Sequence, residues 1–155
     1  MLKAVPKSWL SSDYKLLEND TTVTIIDSSW WREAAELTIK GSTYRVYREG
    51  LISGSFVLEG GGSILARAEK PSAFYRSFLV DYGGKKYTLE AESAMFRKFV
   101  LSEGGQQIGS VYPEHALTRK AVIALPEEIP LAVRIFMFWL VLIMWKRADD
   151  SAFGS

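Results

Sequence analysis

The chain has 155 residues, a formal net charge of +1 and no cysteine. That length suits one domain with one sizeable core, and the small net charge offers no field to draw nucleic acid. The missing cysteine removes disulfides, thiolate metal sites and a thiol nucleophile, and it suits a reducing compartment.

In chain order, Met1 to Leu10 holds no apolar run of signal-peptide length, because Pro6 and Lys7 interrupt it. A cytoplasmic location follows as the expectation, with or without attachment to a membrane. One domain is expected over 1–155, its ordered core over about 10–147. From Thr21 to Leu125, strand follows strand. Thr22 to Ile26 is β-branched, and Glu36 to Lys40 alternates polar and apolar. Gly41-Ser42 then turns the chain into Tyr44 to Tyr47, the pattern of a hairpin. Further runs lie near 51–58, 63–69, 74–82, 85–91, 96–102, 106–112 and 119–125. Several are divided by the glycines 60–62, 83–84 and 104–105, which supply the positive φ of tight turns. Short, evenly spaced strands favour a sandwich or barrel over alternating strands and helices.

A 43-residue repeat runs through this region. It places Tyr44 on Tyr87, Glu49 on Glu92, Phe56-Val57-Leu58 on Phe99-Val100-Leu101, and Gly61-Gly62 on Gly104-Gly105. Leu65 then meets Ile108. Duplication and independent reuse of hairpin chemistry both account for this pattern.

The segment from Glu127 to Arg147 is of another kind. Pro126 and Pro130 stand where a helix start tolerates proline, and Glu127 and Glu128 suit its positive pole. Lys146 and Arg147 suit the other pole. A helix over Leu131 to Arg147 is about 25 Å long. From Ile135 to Trp145 every residue is apolar. Such a helix must be covered on all sides, by a core or by a bilayer. An eleven-stranded can is wide enough to enclose a helix, and ten to twelve strand candidates are present. The expected fold is therefore mainly β, a closed antiparallel barrel of about a dozen strands around a central hydrophobic C-terminal helix. Ile135, Phe136, Phe138, Trp139, Leu140, Leu142 and Ile143 form the helix side of the core. Val46, Phe56, Leu58, Tyr87, Leu89, Phe99 and Leu101 face them from the wall. Arg134 is expected at the barrel mouth, one turn into the helix.

The stretch Phe99-Val100-Leu101-Ser102-Glu103-Gly104-Gly105-Gln106-Gln107-Ile108-Gly109 resembles the late hairpin of tubby-like C-terminal domains. That superfamily includes the LURP-one-related proteins, the phospholipid scramblases and small bacterial relatives. The resemblance covers about 10–147, with Ala121 to Leu125 as last strand and Pro130 to Trp145 as central helix. It implies the same barrel threaded by its C-terminal helix. In function it implies binding, since tubby proteins hold phosphoinositides through basic residues and scramblases are tied to membranes. Neither family's functional residues map onto this chain, which lacks the scramblases' palmitoylated cysteines and acidic calcium loop.

The candidate chemistry is sparse. Gly83-Gly84-Lys85-Lys86 lacks the spacing of a phosphate loop and leads into a strand, so it reads as a hairpin turn. His115 is the sole histidine, with Ser110 and Glu114 near it in sequence. A surface loop accounts for it, and no catalytic residue is assigned. One histidine and no cysteine make a transition-metal site improbable, and no cofactor is implied. Asp149-Asp150 and Glu127-Glu128 read as solvated ends. Trp30-Trp31, adjacent on a strand, would face opposite sides, one of them inward. Basic pairs recur, and Lys85, Lys86, Arg97 and Lys98 are the candidates to hold an anionic head group. Ordinary decoration of strand edges is the competing account.

The leading functional expectation is a non-enzymatic binding or scaffold domain, its partner an anionic phospholipid surface or another protein. One alternative is a tail-anchored protein with residues 129–145 in a bilayer. Another is an enzyme with a site built on loops.

Overall fold

Five pairs of neighbouring residues take positive φ: Asn19-Asp20, Lys40-Gly41, Gly61-Gly62, Gly83-Gly84 and Gly104-Gly105. Paired positive φ marks the type I′ turn, whose twist matches that of the strands it joins. In the computed structural model each pair closes an antiparallel hairpin, so all five turns lie at one end. The strands are β1 (Leu2–Pro6), β2 (Tyr14–Glu18), β3 (Thr21–Ser29), β4 (Ala34–Ile39), β5 (Ser42–Glu49) and β6 (Ser55–Gly60). They continue as β7 (Ser63–Glu69), β8 (Ser77–Tyr82), β9 (Lys85–Ala91), β10 (Phe99–Glu103), β11 (Gln106–Pro113) and β12 (Ala121–Ala124). The structure describes residues 1–8, 11–29, 33–50, 54–71, 76–93 and 97–153, with side chains through Ser151. Trp9, Trp30 and Trp31 lie outside the described residues, as do parts of the expected strands near 51–58, 74–82 and 96–102.

Each strand pairs with its neighbours in sequence, and β12 returns to β1 to close a twelve-stranded barrel. Closure rests on Leu2 opposite Ile123 and Ala4 opposite Ala121. It leaves none of the described strands with a free edge to recruit another chain. The ordered fold therefore begins at Leu2, ahead of the expected start near residue 10, because β1 is the strand that seals the wall.

The helix α1 (Leu131–Phe153) runs through the barrel. From Ala132 to Trp145 every side chain is buried, including the seven expected core residues from Ile135 to Ile143. They join one cluster with Val46, Phe56, Leu58, Tyr87, Leu89, Phe99 and Leu101. Edge-on ring contacts tie helix to wall, Phe138 to Tyr14 at 5.6 Å and Trp139 to Phe56 at 5.8 Å. No described helix is long and apolar enough to cross a membrane. Pro130 serves as the helix start, its carbonyl accepting from the amides of Val133 and Arg134, both at 3.0 Å. Arg134 is only 8% exposed and donates from Nε to the Ile129 carbonyl at 2.8 Å. A carbonyl of the entering segment thus meets the need of a charge buried one turn from the mouth. The helix is longer than the expected Leu131 to Arg147: it continues to Phe153, exposed from Ala148 to Ser151.

The repeat has three copies. Leu16, Leu58 and Leu101 are fully buried, and each stands just before a register shift in its hairpin. Two residues before each stands a buried ring, of Tyr14, Phe56 and Phe99. A positive-φ pair follows each strand. The strands β1–β4, β5–β8 and β9–β12 are thus equivalent four-stranded units.

Candidate functional site

Because α1 fills the barrel, any ligand must meet the outside or an end. The two ends differ in construction. One carries the five tight turns; the other carries six longer connections and the exit of α1. They also differ in charge. Among the described residues the turn end holds Glu18, Asp20, Glu59, Asp81, Glu103, Glu127 and Glu128 against Lys40, Lys85, Lys86 and the buried Arg134, with Arg45, Glu36 and Asp27 level with Glu59 and Arg67 level with Asp81. The loop end holds Lys7, Arg48, Lys70, Arg76, Arg97, Lys98, Arg119, Lys120, Lys146 and Arg147. Its acids are Asp13, Glu33, Glu49, Glu69, Glu92, Glu114, Asp149 and Asp150. Among the described residues the turn end thus carries a small net negative charge and the loop end a small net positive one.

The four head-group candidates divide between these ends. Lys85 and Lys86 open β9 at the turn end, where Lys86 pairs with Asp81 at 2.9 Å. Arg97 and Lys98 precede β10 at the loop end, about 20 Å away along one strand. Burial is not what sets the Lys86–Asp81 pair: both side chains are exposed, and their mutual hydrogen bond raises the lysine pKa and lowers that of the aspartate.

At the loop end Arg97 and Lys98 border a cleft of about 810 Å³ that also contains Glu92, Ser93, Tyr112 and His115. Lys98 pairs with Glu92 at 3.3 Å. Arg97 lies over the Trp145 ring, 4.5 Å from its centre, and Trp145 Nε1 donates to the Arg97 carbonyl at 2.8 Å. The end of the central helix and this loop are thus fastened together. Arg97 Nη1 reaches across to the Thr118 carbonyl at 3.1 Å.

Thr118 belongs to the connection 114–120 between β11 and β12. That connection is held at several points. The Glu114 amide donates to the Lys120 carbonyl at 2.8 Å, and the Thr118 amide to the His115 carbonyl at 3.3 Å. The Lys120 amide donates to Thr118 Oγ1 at 3.1 Å. Arg119 is drawn inward, donating to the Ser11 carbonyl at 2.5 Å and lying over the Tyr14 ring. Tyr14 donates its phenol to the Arg119 carbonyl at 3.2 Å. Burial raises the Tyr14 pKa, and the neighbouring Arg119 charge opposes that rise. His115 is exposed on the same connection, and no hydrogen bond joins it to Ser110 or Glu114 among the described residues.

The helix exit is clasped by Glu33, a residue at positive φ and 16% side-chain exposure. Its carboxylate accepts from Arg147 Nε at 2.9 Å and Nη2 at 2.8 Å, with Arg48 at 3.3 Å. A fork of two charge-assisted bonds in a partly buried place is among the stronger polar contacts. Glu33→Gln is expected to lower stability by about 1–3 kcal/mol. Hydrogen exchange should quicken mainly in the last turns of α1, and unchanged protection there would remove the clasp from the account.

The sequence did not point to Glu33, because a lone acid beside a turn has no pattern. Nor did it point to Leu117, which is the tip of the 114–120 connection and 100% exposed. No family model, curated protein or solved structure matches this chain.

Proposed function

We propose that this protein is a tubby-like, non-enzymatic binding domain that docks by its loop end on anionic phospholipid surfaces. The observation that carries this reading is the charge polarity of the barrel. An anionic surface attracts the basic end and repels the acidic one, so polarity sets orientation as well as affinity. Lys7 and Lys120 are exposed at that end and have no ion-pair partner among the described residues. Continuing the β1–β12 register beyond Ala4 opposite Ala121 sets Lys7 level with Thr118. Arg97 and Lys98 stand on the neighbouring connection. Lys85 and Lys86 take no part, since they belong to the acidic end.

Cosedimentation with vesicles of three parts phosphatidylcholine to one part phosphatidylserine tests the reading. Binding is expected at low salt and is expected to fall as salt screens the charges. Replacing Lys7 and Lys120 together by alanine should weaken it by roughly 30-fold, at about 1 kcal/mol per charge. The pair Lys85→Ala and Lys86→Ala should leave it unchanged. Absence of binding at low salt overturns the proposal.

A further inference from the structure

We infer that Leu117 is a membrane-inserting tip, so that the surface met by the loop end is a lipid bilayer and not a soluble acidic partner. This rests on the docking proposed above and adds a depth to it. Exposed leucines are common singly, and most exposed apolar residues here are only partly so. Ile64 and Leu79, for example, lie on the barrel wall at 50% and 49%. Leu117 differs in being wholly exposed, at the apex of a connection projecting from an end. The connection is also preformed. The Arg97 guanidinium, the Glu114–Lys120 backbone bond and the Thr118 side chain hold its shape. Insertion therefore requires little ordering of the chain.

The charges around the tip agree with a bilayer. Lys7 is level with the base of the turn, and Lys120 closes it. Both carry long stems that extend toward phosphates while a residue between them goes deeper. Apolar tip and basic collar together match an interface with anionic head groups above and acyl chains below. A nucleic acid satisfies the collar but gives the lone leucine no apolar phase, and an acidic protein would leave the label at 117 unquenched by lipid-borne nitroxides.

The absence of native cysteine permits a clean test, because Leu117→Cys introduces the one thiol in the chain. An environment-sensitive fluorophore there should shift to the blue on adding phosphatidylserine-containing vesicles, and nitroxide-bearing lipids should quench it. The same label at Lys85→Cys should do neither. Independently, Leu117→Ser should weaken vesicle binding roughly tenfold, leaving the salt dependence and the melting temperature as they were. Vesicle binding with a label at 117 that stays in water overturns the insertion while leaving electrostatic docking intact. No vesicle binding by the unsubstituted chain overturns both.

Discussion

Deleting residues 130–155 is expected to abolish folding. The truncated chain keeps all twelve strands and every turn. What it loses is the apolar rod that the inward side chains touch. Phe56, Phe78, Phe99, Leu58 and Leu101, all fully buried, would face a water-filled lumen. The eleven apolar residues from Ile135 to Trp145 are all buried in the intact chain. At about 1.5–3 kcal/mol for each side chain taken from water, their removal costs on the order of 15–30 kcal/mol. That exceeds the roughly 5–15 kcal/mol by which a domain is stable. Circular dichroism and amide proton dispersion of the truncated chain check this. A dispersed spectrum with a cooperative melt would mean that the strands hold themselves together without the helix. The same deletion separates this fold from a tail-anchored one, in which losing the C-terminal segment would leave a folded domain.

The largest single-residue effect is expected at Trp139. Its ring lies edge-on to Phe56 at 5.8 Å and stacks with Phe136 at 6.2 Å. Phe56 in turn meets Phe78 edge-on at 5.6 Å, so the indole joins the helix to two strands of the wall. Trp139→Ala leaves a cavity that a closed barrel is poorly able to collapse, since every strand is fixed by two neighbours. A loss of about 3–5 kcal/mol is expected. For a domain of this length that is a fall of roughly 6–20 °C in melting temperature. Trp139→Phe, which keeps a ring in place, should cost clearly less. Lys146→Ala, at an exposed position a few turns on, should change stability by under about 0.5 kcal/mol. Equal melting temperatures for Trp139→Ala and Lys146→Ala would sink the packing account.

The charge asymmetry gives the docking proposal a shape that no single basic pair supplies. Local chemistry favours neither Lys85-Lys86 nor Arg97-Lys98. The two pairs look alike in sequence, one opening β9 and the other just preceding β10. They part only because β9 lies between them and runs the length of the wall. Which basic residues share an end depends on strand direction, and that is a property of the closed sheet.

Much of the fold is legible without coordinates. All-round apolarity from Ile135 to Trp145 demands cover on every side, and the paired glycines at 83–84 and 104–105 demand tight turns. Those are local facts, carried by side-chain chemistry and by the φ that glycine permits. β1 and β2 are less legible. Asn19-Asp20 performs the same turn without glycine, and Leu2–Pro6 is a short run ending in proline. The place of β1 is decided by partners more than a hundred residues away, Ala121 and Ile123 among them, and β2 is then held between β1 and β3. The loop end was illegible for the same reason. Lys7 and Leu117 come together only when β12 closes on β1, and Glu33 clasps Arg147 only when the helix has passed through the barrel. Local sequence thus determined the parts and the need for a covered helix. Closure of the wall, a pairing of the two extremes of the chain, decided which residues face a partner together.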